Sequence, residues 1–91
     1  MLATVETIEQ ISDICPAQWE GKLTDGRTFY IRYRWGCLSF RVSEKPTDNI
    51  DLAVRGEIIA DWENEDNPFD GFITLPEVAD RLVDIDFSKV L

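Results

Sequence analysis

Histidine is absent from this chain, and that absence removes a large share of enzymology at once. Without imidazole there is no Ser-His-Asp relay, no Cys-His nucleophile and no nitrogen ligand for a metal. Cysteine is scarce, with Cys15 and Cys37 alone, and no Cys-x-x-Cys or Cys/His spacing could cage zinc. Both thiols are expected to be reduced, as in a cytosol. No apolar run approaches the length of a membrane span, and the opening MLATVETIEQ lacks the basic start and apolar middle of a secretory leader. The expectation is a cytoplasmic protein with no membrane partner. Basic residues are few, nine against eighteen acids, for a net charge of −9. A polyanion would be repelled at long range, which argues against nucleic acid as a partner.

What is present suits a packed globule. The 91 residues are 44% apolar and include ten aromatics, enough for a single domain, 1–91, with one modest core. Charge is segregated. Residues 1–17 carry acids only, residues 18–45 are net basic, and residues 46–91 hold twelve of the eighteen acids. A basic middle is thus joined to acidic flanks.

The basic middle, TFYIRYRWGCLSFRVS over Thr28 to Ser43, reads as a β-hairpin. A two-residue turn at Trp35-Gly36 sets Tyr33 against Leu38, Ile31 against Phe40 and Phe29 against Val42. Every large apolar residue then shares one face, and Tyr30, Arg32, Arg34, Ser39 and Arg41 share the other. Upstream, Gln18 to Leu23 reads as a further strand, joined through a three-residue loop in which Gly26 is left-handed. That register sets Trp19 against Ile31 and Gly21 against Phe29. A two-residue Asp-Gly turn would instead oppose Lys22 and Glu20 to apolar partners.

The remaining elements are read from periodicity. Val5, Ile8 and Ile11 at three-residue spacing, with Pro16 beyond, predict an N-terminal helix over Thr4 to Ile14. A fourth strand is expected near Glu57–Trp62, after a short helical or irregular segment. Thr74 with Glu77 forms a capping box, and Ile73 with Val78 a hydrophobic staple, opening a C-terminal helix whose apolar stripe runs Leu75, Val78, Ala79, Leu82, Val83. The tail from Ile85 is expected to be irregular or a short final strand. The expected fold class is α+β: an antiparallel three- to four-stranded meander packed against an N-terminal and a C-terminal helix.

The string WEGKLTDGRTFYIRYRWGCLSFRV resembles a pattern in short bacterial and phage proteins that share no established activity. The resemblance implies a bacterial or phage setting and carries over no functional residue. Small acidic α+β proteins from such sources are often inhibitors, immunity proteins or nucleic-acid mimics.

Three constellations are candidate sites. Asp61, Glu63, Glu65 and Asp66 form a run of carboxylates able to imitate a phosphate backbone or dock on a basic protein groove; as a plain alternative, such acids keep a small sheet protein soluble and its edge unpaired. Tyr30, Arg32, Arg34 and Arg41 could grip a phosphate while the ring stacks a base, or could simply be a solvated face neutralised by the chain's own acids. The stretch Asp66 to Glu77 resembles the calcium loop of EF-hand proteins, which implies Asp66, Asp70, Thr74 and Glu77 as oxygen ligands and Gly71 at the sharp turn. Pro68 departs from that pattern by offering no side-chain oxygen, and the turn-plus-cap reading accounts for the same residues without a metal. No nucleophile has an evident base beside it. The resulting expectation is a non-enzymatic interaction protein that needs no cofactor and presents Asp61, Glu63, Glu65 and Asp66 to a basic protein partner.

Overall fold

In the computed structural model, which describes residues 2–14 and 16–91, the hairpin lies at the centre of the fold. Strand β3 (Thr28–Arg34) pairs with β4 (Cys37–Val42) in the expected register, Tyr33 opposite Leu38, Ile31 opposite Phe40 and Phe29 opposite Val42. Trp35 and Gly36 both take positive φ, 54° and 70°, the signature of a tight mirror-image turn that matches strand twist. Strand β2 (Ala17–Leu23) pairs with β3, with Trp19 against Ile31 and Gly21 against Phe29, and Gly26 closes the loop at φ 89°.

The architecture departs from a small meander with two covering helices. A six-stranded mixed sheet, curled until nearly barrel-shaped, runs in the order β5-β4-β3-β2-β1-β6. The expected N-terminal helix is instead strand β1 (Ala3–Asp13), antiparallel to β2. Its sequence is rich in β-branched residues, which fit a pleated surface better than a helix. The three-residue spacing that suggested a helix has another origin. Val5 faces Leu23 and Ile8 faces Gly21, with a bulge between them, so the extra residue stretches an in-facing period of two to three. A second irregularity between Gln10 and Ser12 leaves Ile11 exposed.

Beyond β4 come a short helix α1 (Ile50–Val54), capped by the Asn49 side chain, and strand β5 (Glu57–Glu63), antiparallel to β4. Helix α2 (Leu75–Arg81) follows, then β6 (Ile85–Asp86), parallel to the start of β1. The two helices are short, and α1 lies against β3 and β4, burying Ala53 apart from the main core. Val83, expected on the apolar stripe of α2, lies past the helix end and is exposed.

The core lines the inner face of the curled sheet. Val5, Trp19, Leu23, Phe29, Ile31, Tyr33, Leu38, Phe40 and Val42 are buried there against Ile73, Val78, Leu82, Ile85 and Phe87. Phe29 and Phe40 stack at 5.0 Å between centroids, and Phe87 meets Phe40 edge-on. Gly21 permits the tight curl: a Cβ there would run into the Thr7 carbonyl and lie 2.9 Å from the Phe29 ring. Among the described residues no helix is long and apolar enough to cross a membrane.

Candidate functional site

Strand alternation places Arg32 and Arg34 on the outer face of β3, with both side chains in solvent. Pairing across the sheet puts Ser39 between Arg32 and Asp61, and Cys37 between Arg34 and Glu63. Cations on β3 and carboxylates on the edge strand β5 therefore sit two strand spacings apart, roughly 10 Å, over a floor of small residues. Among the described residues the ion pairs are Lys22–Asp48 and Arg27–Asp25, so the chain's own acids do not neutralise Arg32, Arg34 or Arg41. Cys37 is a free, exposed thiol; the expectation for Cys15 lies outside the described residues.

The arginine set does not act together. Tyr30 is buried on this face and shares a hydrogen bond with the Gln18 amide, so its ring is not available to stack a base. Arg41 donates from Nη1 to the Gly56 carbonyl at 2.9 Å, bracing the entry to β5. Arg34 folds over the Trp35 ring at 5.3 Å. Only Arg32 and Arg34 remain free cations, which removes the aromatic half of the nucleotide-binding reading.

Most residues of the calcium reading are engaged in other contacts. Thr74 caps α2: its Oγ1 accepts from Glu77 N, and the Glu77 carboxylate accepts from Thr74 N and Oγ1. Asp70 accepts from the Tyr33 hydroxyl at 2.9 Å and from Phe72 N. Thr74, Glu77 and Asp70 are thus committed elsewhere, Asp66 points to solvent, and a strand, not a helix, enters the loop. Among the described residues no three acidic or thiol groups gather as metal ligands.

Asp61, Glu63, Glu65 and Asp66 are all exposed. Asp61 and Glu63 stand on β5, and Glu65 and Asp66 continue the run into the loop that follows. That loop wraps the hairpin turn: Asn64 N donates to Gly36 O at 2.7 Å, and Gly36 N donates to Asp70 O at 2.8 Å. A Cβ on Gly36 would lie 2.9 Å from the Asn67 carbonyl, so only glycine fits this closely packed position.

The wrapping brings together residues that sequence reasoning did not combine. Trp35 packs edge-on against Phe69 at 6.2 Å, yet Trp35 is 58% exposed, Phe69 76% and nearby Phe72 54%. Exposed aromatics bordered by charge are the residues that dominate protein interfaces. The available signal was local: a bulky residue at a turn position that favours Asn or Gly, and Phe69 and Phe72 in an acidic loop.

No family model matches this chain, and no curated protein or solved structure is significantly similar to it. The reading of function therefore rests on the surface itself.

Proposed function

We propose that this chain is a small non-enzymatic interaction protein, of the inhibitor, immunity or nucleic-acid-mimic kind, that binds a basic protein. The docking surface is the Trp35–Phe69 pair with its border of Asp61, Glu63, Glu65 and Asp66. One observation carries the reading. Trp35 holds a left-handed conformation, φ 54°, that costs a bulky residue on the order of 1 kcal/mol, while leaving most of its ring in water. Folding alone would favour Asn or Gly there. A strained, exposed tryptophan supported by an exposed phenylalanine suits an anchor that fills a partner's pocket. The carboxylates beside it select a basic rim and speed the encounter.

Affinity capture from a bacterial lysate tests the reading, with the triple charge reversal D61K/E63K/E65K as control and circular dichroism to check folding. The expected partner is basic. Its binding weakens at least tenfold between about 0.1 and about 0.5 M salt, and the charge-reversed protein does not retain it. Retention indifferent to salt and to the charge reversal refutes the proposal.

A further inference from the structure

We propose that the cleft at the opposite end of the β3–β4 hairpin from Trp35 binds a phosphate monoester bearing hydroxyls, a sugar phosphate or nucleotide. The cleft, half open to solvent, has a volume of about 780 Å³, within the range of roughly 300–1,000 Å³ typical of small-molecule sites. Three of the chain's nine cations converge on it from three segments: Arg27 from the β2–β3 loop, Lys45 from the segment after β4, and Arg55 from the end of α1. Against them the lining sets the carboxylates of Glu44 and Glu57, so in a chain of net charge −9 the cleft is positive by one charge.

Each cation is held differently. Arg27 is locked by Asp25, whose carboxylate accepts from Arg27 N at 3.0 Å and from Nε at 2.8 Å. The two Nη groups of Arg27 carry no hydrogen bond among the described residues, which leaves that edge of a fixed guanidinium free for an anion. Lys45 and Arg55 are exposed and form no ion pair among the described residues. The backbone beneath Lys45 is fastened: buried Ser43 accepts from Thr28 N at 3.1 Å and donates to Lys45 O at 2.8 Å. Lys22 and Thr28 hold Thr47 O of the same segment. A cleft with braced walls loses less entropy on binding than a mobile one.

The rest of the lining accounts for the remainder of the ligand. Glu44 and Glu57 offer carboxylates that accept from hydroxyls but would repel a bare anion. Leu52, an exposed apolar side chain, gives a wall for a ring. At Gly56 the backbone packs against β4 so closely that a Cβ would run into the Val42 carbonyl, so this part of the lining carries no side chain. The site is independent of the protein-docking proposal, because no residue belongs to both.

Thermal unfolding of the intact chain with ribose 5-phosphate, AMP, ribose and inorganic phosphate tests the site. The expected result is a Tm rise of roughly 4–8 °C with ribose 5-phosphate or AMP at about five times Kd. Ribose has no effect, and the exposed-residue variant K45Q/R55Q, which keeps its own Tm, weakens Kd about tenfold or more. A larger shift with AMP assigns a nucleotide, and an equal one a sugar phosphate. The proposal is overturned if neither ester shifts Tm at about 5 mM, or if the variant responds as the parent does. It is also overturned if inorganic phosphate acts equally, which marks an adventitious ion only.

Discussion

The Tyr33 hydroxyl, reaching out of the core from β3, donates to the Asp70 carboxylate at 2.9 Å and accepts from the Asn64 side-chain amide at 3.2 Å. One buried side chain thus holds both ends of the loop that presents Phe69. Removing the hydroxyl leaves a half-buried carboxylate and amide without their shared partner. Y33F is expected to lower stability by about 1–2 kcal/mol in urea unfolding. D70N should cost a similar amount. The double variant should fall short of the sum, because both single changes break one contact. Strict additivity would show that the Tyr33–Asp70 bond is energetically silent.

The same hydroxyl sets an alkaline limit. Burial raises the Tyr33 pKa above its ordinary value; Asn64, donating to the oxygen, pulls it down, and the Asp70 carboxylate adds to the rise. A folded-state pKa above the unfolded one, near about 10, means that the neutral phenol favours the folded state. This contribution is complete below the unfolded pKa and is lost as pH rises through the folded value. Tm should therefore fall as pH rises above about 10, and Y33F should show a flatter alkaline limb. Parallel limbs in parent and variant would place the alkaline sensitivity elsewhere.

The helix cap separates the structural role of Thr74 from the calcium reading. Its hydroxyl both accepts from Glu77 N and donates to the Glu77 carboxylate. T74A should destabilise the protein by about 1 kcal/mol, the ordinary value of an N-cap. Millimolar calcium should leave Trp62 fluorescence and Tm unchanged in both forms, because Glu77 is held by the cap and Asp70 by Tyr33. A calcium-dependent rise in Tm that T74A abolishes would restore the metal site.

Parts of this fold were legible because two signals agreed. In the hairpin, Gly36 and Gly26 mark the turns, strict alternation decides between the two registers that Asp25-Gly26 allows, and the chosen register is present. The Thr74–Glu77 cap is a short-range pattern and needed no tertiary information. Strand β1 carries a helix-like pattern because the bulge between Val5 and Thr7 gives a strand the spacing of a helix, and nothing local betrays a bulge. Its parallel partner Ile85–Asp86 is too short to leave a pattern and forms only because α2 returns the chain to that edge. The carboxylates of β5 can be proposed from composition, and Trp35 and Phe69 each stand out locally, but their meeting cannot be read from the sequence. Phe69 meets Trp35 only through the loop docking on Gly36, a contact between residues far apart in sequence.

Trp35 gives the sharpest division between folding and function. Replacing it by asparagine relieves the left-handed strain, on the order of 1 kcal/mol, because asparagine tolerates that conformation. The same change removes the edge-on contact with Phe69 and the Arg34 contact, each about 0.5–1 kcal/mol at an exposed site. Gains and losses nearly cancel, so W35N should unfold within about 1 kcal/mol of the parent, whereas truncating a buried tryptophan costs about 3–5 kcal/mol. Partner binding should nevertheless weaken by about 2 kcal/mol or more, as loss of a central aromatic anchor does. Urea unfolding and titration of the captured partner measure the two quantities on one variant. If W35N loses much stability and keeps its partner, the tryptophan serves the fold and the docking surface lies elsewhere.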